Sequence, residues 1–138
     1  MSLRVEAAIM SQAVAEPRTE DLRWSNRSLL KSLRNPSSER YEVEIHCPEV
    51  SFLGKAGQPD FACVDIRMVP GERVIELKSL KRYLFSLRNA LMSYERCVNV
   101  LYEDLMETYR PTRLVVQIEL RARGGISSKL TIHSDWRS

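Results

Sequence analysis

Apolar and polar residues alternate through Tyr41-Glu42-Val43-Glu44-Ile45-His46, the period of a half-buried strand. A loop rich in turn residues follows, Gly54-Lys55-Ala56-Gly57-Gln58-Pro59-Asp60, and Phe61–Val69 reads as a second strand. Pro70-Gly71-Glu72 makes a tight turn into Arg73–Leu77, a third strand. So short a link predicts that the third strand lies antiparallel to the second. From Ser79 the period becomes helical: Leu80, Leu84, Leu87 and Leu91 share a stripe, while Lys81, Arg82 and Arg88 face elsewhere. A second helix carries Cys97, Leu101 and Leu105 on one face and stops before Pro111. Alternation then returns with Leu114, Val116, Ile118 and Leu120. After a turn at Arg123-Gly124-Gly125 it continues with Ile126, Ser128, Leu130 and Ile132. The predicted order is β-β-β-α-α-β-β. This is an α+β domain in which two helices cover the apolar face of an antiparallel sheet. The other face would carry Glu42, Glu44, Gln117, Glu119 and Arg121, either in water or lining a barrel shared with neighbouring subunits.

Upstream of this pattern, residues 1–35 are expected to form a flexible N-terminal arm and 36–138 the folded domain. The arm carries Pro17 and scattered charges, a short helical turn around Leu29, Leu30 and Leu33, and a break at Asn35-Pro36. Ala13-Val14-Ala15 imitates a cleavage site, but Glu6 and Gln12 interrupt the apolar stretch before it, so a cytoplasmic protein is expected. The length of 138 residues fits one domain, with 43% hydrophobic and 28% charged residues. No apolar run is long enough to cross a bilayer, and no membrane partner is expected. A net charge of +3 favours small anions and is too weak a signal for nucleic acid. Three cysteines without a CxxC pair and two histidines argue against a zinc site and against a secreted disulfide framework.

The start of the first helix is chemically unusual. Ser79 suits an N-cap, but Lys78 and Lys81 place cations where the helix dipole disfavours them unless an anion arrives. Capping alone explains the serine; a phosphate-bearing ligand would explain the two lysines as well. Read alone, Asp60 is a turn residue, Glu95 a solvated helix residue and Arg123 part of a hairpin turn. His46 and His133 fall on polar faces and are expected in solvent. Cys47, Cys63 and Cys97 read as small apolar residues, Cys97 in the core.

The segments "GQPDFA", "ELKSLKRYLFSLRN", "ERCVN" and "RGGI" resemble, in order and spacing, the QueF-type NADPH-dependent 7-cyano-7-deazaguanine reductases of the tunnelling-fold superfamily. The resemblance spans about residues 40–126. It implies a subunit that joins others edge to edge into a ring, with ligands bound at the seams. It further implies NADPH bound by Glu76, Lys78, Ser79 and Lys81, with Arg123 facing ligand or cofactor. Glu95 would anchor a flat nitrogen heterocycle, since a carboxylate accepting from adjacent N–H groups is a strong directional contact. Two family positions differ. Leu53-Gly54 stands where the family has Cys-Pro, so no thiolate is available there to form a thioimide. Ser93-Tyr94-Glu95-Arg96 stands for Phe-His-Glu-Asp, which puts Tyr94 in the place of a proton-transferring histidine. The resemblance therefore implies an oxidoreductase using NADPH on a 7-deazapurine, purine or pterin-like ring without covalent chemistry, with Asp60 or Tyr94 supplying the proton. A lyase or transferase, or a non-catalytic ligand-binding homologue on the same scaffold, remains open beside it.

Overall fold

The computed structural model describes residues 25–54 and 57–137. Strands β1 (Ser32–Arg34), β2 (Val43–Leu53), β3 (Pro59–Val69) and β4 (Arg73–Ile75) precede helices α1 (Leu77–Ser86) and α2 (Tyr94–Tyr109). Strands β5 (Arg113–Arg123) and β6 (Ile126–His133) close the chain. The main sheet is antiparallel, in the order β2-β3-β5-β6, and both helices cover one face of it. The expected α+β arrangement is the observed one.

The alternating apolar positions meet in this layer. Phe52, Val64, Ile66, Leu114, Val116 and Ile118 from the sheet are fully buried against Tyr83, Leu87, Leu101 and Leu105 from the helices. Each such side chain contributes roughly 1.5–3 kcal/mol through burial. In β2 the inward phase changes partway. Cys47 lies opposite Val64 and Val50 opposite Ala62, so Pro48 and Glu49 together face a single β3 residue, Cys63. This bulge moves the inward set from odd to even positions and brings Val50 and Phe52 into the core.

Two expectations about the middle of the chain are corrected. The third strand does not join the second. Both sides of β3 are occupied, by β2 and β5, and β4 pairs instead with β1 in a separate two-stranded sheet. The N-cap of α1 is Glu76 rather than Ser79: its carboxylate accepts from the Ser79 backbone N–H at 2.9 Å. Helix α2 is capped by Ser93 and ends at Arg110, left-handed at φ 47°, before Pro111.

Of the expected arm, residues 25–35 are built into the fold, while residues 1–24 lie outside the described residues. Leu30 is buried, and β1 anchors the segment to β4. Ser25 Oγ and Arg27 Nε donate to Asp104 of α2 at 3.1 and 3.0 Å, and the Tyr83 hydroxyl donates to the same carboxylate. A buried carboxylate is tolerable only when so supplied with donors. Burial, reinforced by this negative neighbour, pushes the Tyr83 hydroxyl well above its ordinary pKa.

Candidate active site

Asp60 stands near the start of β3, and Tyr94 and Glu95 open α2. The Leu53 N–H donates to Ala90 O and the Met92 N–H to Leu53 O, both at 3.0 Å, which makes a parallel bridge between Leu53 and Leu91. This clamp ties the segment before α2 to the end of β2, so the first turn of α2 sits beside the loop leading into β3. Within that loop the Gly54 N–H donates to Gln58 O at 2.9 Å and the Gly57 N–H to Gly54 O at 2.7 Å. Asp60 lies opposite Phe52 in the ladder and is half-buried, on the side of the sheet that faces the helices. Tyr94 packs against the core, and its hydroxyl accepts from Ser128 Oγ of β6 at 3.4 Å. Glu95 is exposed on the first turn of α2, where the helix dipole favours an anion.

The residues of the α1 start divide into two pairs. Ser79 is 1% exposed, and its hydroxyl accepts from the Lys31 N–H at 2.9 Å and donates to Glu76 O at 2.8 Å. Glu76 is committed to its cap. These two hold the helix start and the end of β1 in place. Lys78 and Lys81 are exposed, and Lys81 stands on the rim of a groove of about 400 Å³ between α1 and β2. Its walls include Ile45, Cys47, Val50, Leu77, Leu80 and Leu84. Leu77 and Phe85 beside it are 63% and 64% exposed, a large apolar surface for two helix residues. The chain advances ~18 Å between Lys78 and Ala90 if it rises at the helical rate throughout. The lysines therefore sit well back along α1 from the Leu53–Ala90 clamp. Arg123 lies at the end of β5 before the Gly124-Gly125 turn, whose φ values are 59° and 82°; its side chain lies outside the described residues.

The three cysteines lie in three different settings. Burial, with Asp65 adding to it, pushes the Cys47 thiol above its ordinary pKa. The Cys63 thiol, on the opposite face of the sheet, donates to Pro48 O at 3.3 Å, and Cys97 is fully buried in the core. His46 is exposed, as expected, with Nδ1 at 2.6 Å from Asp65 Oδ1. His133 is not in solvent. It is half-buried, with Nε2 at 3.1 Å from Arg113 Nη2 and Nδ1 accepting from the Asp135 N–H, because the C-terminal turn folds back on β6. Among the described residues no group of His, Cys, Asp and Glu could hold a metal ion, and no helix is long and apolar enough to cross a membrane. Sequence reasoning missed the Leu53–Leu91 bridge, which has no local signature. It also missed Ser128 as the partner of Tyr94, although a serine on an otherwise apolar stripe was the available signal.

A domain in which two helices cover one face of a four-stranded antiparallel sheet has the tunnelling fold. The model of the family described as "QueF-like protein" matches residues 59–137, and the chain belongs to that family. It is 42% identical over 108 residues to the NADPH-dependent 7-cyano-7-deazaguanine reductase of Magnetococcus marinus, covering 77% of this chain and 84% of that protein. To the enzyme of the same name from Chlorobaculum tepidum it is 39% identical over 109 residues, 78% of this chain and 93% of that one. The crystal structure of the apo form of the archaeosine synthase QueF-Like superposes with a TM-score of 0.61 over 71% of this chain and 95% of that one. At 15% identity this is a likeness of fold.

Proposed function

We propose that the protein is a cytoplasmic NADPH-dependent reductase of a C=N or C≡N group on a 7-deazapurine or related purine- or pterin-like ring. The reaction proceeds without a covalent thioimide. The observation that carries this reading is the likeness to reductase relatives, supported by the backbone clamp at Leu53, which ties the segment before Tyr94 and Glu95 to the end of β2. Glu95 accepts from adjacent ring N–H groups of the heterocycle. NADPH, when bound, supplies hydride to carbon. Each hydride added there requires one proton at nitrogen, held by Asp60 or by Tyr94. Ser128 Oγ, 3.4 Å from the Tyr94 hydroxyl, helps hold the phenol in place. Cofactor and site are compatible in kind: the exposed Lys81 stands on the rim of an apolar groove and Lys78 is exposed on the same helix, which suits a ligand with phosphates at one end and flat rings elsewhere. Lys78 and Lys81 take the phosphates, Arg123 assists from the β5–β6 turn, and Glu76 and Ser79 hold the helix that presents the lysines. Self-association into a ring through the sheet's outer strands β2 and β6 would enclose the ligands at the seams.

The cysteine-free loop favours a second reading, a homologue that binds the same heterocycle without redox turnover. One experiment separates the two. NADPH fluorescence is titrated with the protein and with Lys78→Ala/Lys81→Ala, and NADPH consumption is followed with 7-cyano-7-deazaguanine. A cofactor signal lost in the double variant at an unchanged melting midpoint supports the reductase. Heterocycle binding with no cofactor response overturns it.

A further inference from the structure

Gly54 does not need glycine for its backbone, because its φ lies outside the left-handed region. What it lacks is space. A Cβ built at this position would stand 2.4 Å from Asp60 Oδ2 and 3.3 Å from Asp60 Cγ, inside the distance that real side chains keep. Nor can the loop retreat easily. Its N–H is bonded to Gln58 O and its carbonyl to the Gly57 N–H, while Leu53 before it is held by Ala90 and Met92. Any side chain at residue 54 therefore displaces the Asp60 carboxylate rather than the backbone.

We infer that Gly54 is a positioning residue: the place its side chain would fill is the seat of the Asp60 carboxylate, and the loop is shaped around an acid there. This rests on the proposed role of Asp60 as proton donor.

The contact is tested by a double-mutant cycle on the full chain: wild type, Gly54→Ala, Asp60→Ala and the double variant, each by thermal and urea unfolding. Gly54→Ala is expected to lower the midpoint in the wild-type background. In the Asp60→Ala background it should leave the midpoint unchanged or raise it, because alanine at an allowed φ restricts the unfolded chain once the clash is gone. Equal shifts in both backgrounds overturn the inference. If Gly54→Ala alone does not fold, folding of the double variant supports the inference, and failure of both overturns it. For the chemistry, NADPH consumption with 7-cyano-7-deazaguanine should fall about a hundredfold in kcat for Gly54→Ala with KM little changed, the scale of an ångström's misplacement. Coupled stabilities with full turnover in Asp60→Asn would leave the positioning intact and remove the catalytic reading of Asp60.

Discussion

Replacing Ser79 with alanine should weaken the fold and leave cofactor affinity nearly untouched. Its hydroxyl accepts from the Lys31 N–H at 2.9 Å, donates to Glu76 O at 2.8 Å and stands 3.4 Å from Lys31 O. The second is cheap to lose, because the Leu80 N–H already serves Glu76 O at 3.1 Å. The first is not. Ser79 is 1% exposed, so the Lys31 amide is left facing a methyl group, at a cost of about 1–3 kcal/mol. Alanine returns a few tenths of a kcal/mol as the better helix former, which leaves a net loss of roughly 1–2 kcal/mol. For a domain of this size that lowers the melting midpoint by roughly 4–8 °C. Differential scanning fluorimetry and urea titration measure the loss, and an NADPH fluorescence titration on the same samples measures affinity. An unchanged midpoint with affinity reduced tenfold or more would refute the reasoning, since the hydroxyl would then be touching the ligand.

Glu95→Ala should abolish binding of 7-cyano-7-deazaguanine at an unchanged midpoint, because the side chain is exposed; calorimetric binding equal to wild type would remove the anchor. Stability should also fall in alkali. Burial raises the Cys97 thiol from 9.0 to about 12 and the Tyr109 hydroxyl from 10.0 to about 12, Glu76 adding to the latter while the bond with Ser79 opposes it. The folded chain thus holds these protons more tightly than the unfolded one. Their contribution is complete below the ordinary values and is lost as pH rises toward 12, at ~1.4 kcal/mol per pH unit for each group. Urea midpoints that stay level from pH 9 to 12 would contradict this, and Tyr109→Phe should flatten the upper part of the slope.

The helices and the four long strands were legible because their apolar residues recur at the right period and nothing in the tertiary structure opposes them. The short strands were not. Three residues, Arg73–Ile75, carry too little pattern to choose a partner, and the choice fell to β1, whose residues had read as arm. Asp104 shows the same limit: a carboxylate inside a helical stripe looks solvated until Ser25, Arg27 and Tyr83 converge on it. Within the site, the residue types at Asp60, Tyr94 and Glu95 could be read from the family motifs. The link between their segments could not, since it is a backbone bridge between Leu53 and Leu91 that any side chains could make. Ser79 was misplaced for a related reason. Serine caps helices so often that a glutamate three residues earlier was passed over, and the helix began one turn sooner.

The doubled residue at Pro48-Glu49 works like a reading frame for everything downstream in β2. Because sides alternate strictly, one residue more or fewer before Val50 would turn Phe52 outward to water and Leu53 inward. It would also break the match that sets Asp60 opposite Phe52 and Leu53 beside Ala90. The position of Asp60 at the far end of the strand is thus set in phase or out of phase by a kink several residues away.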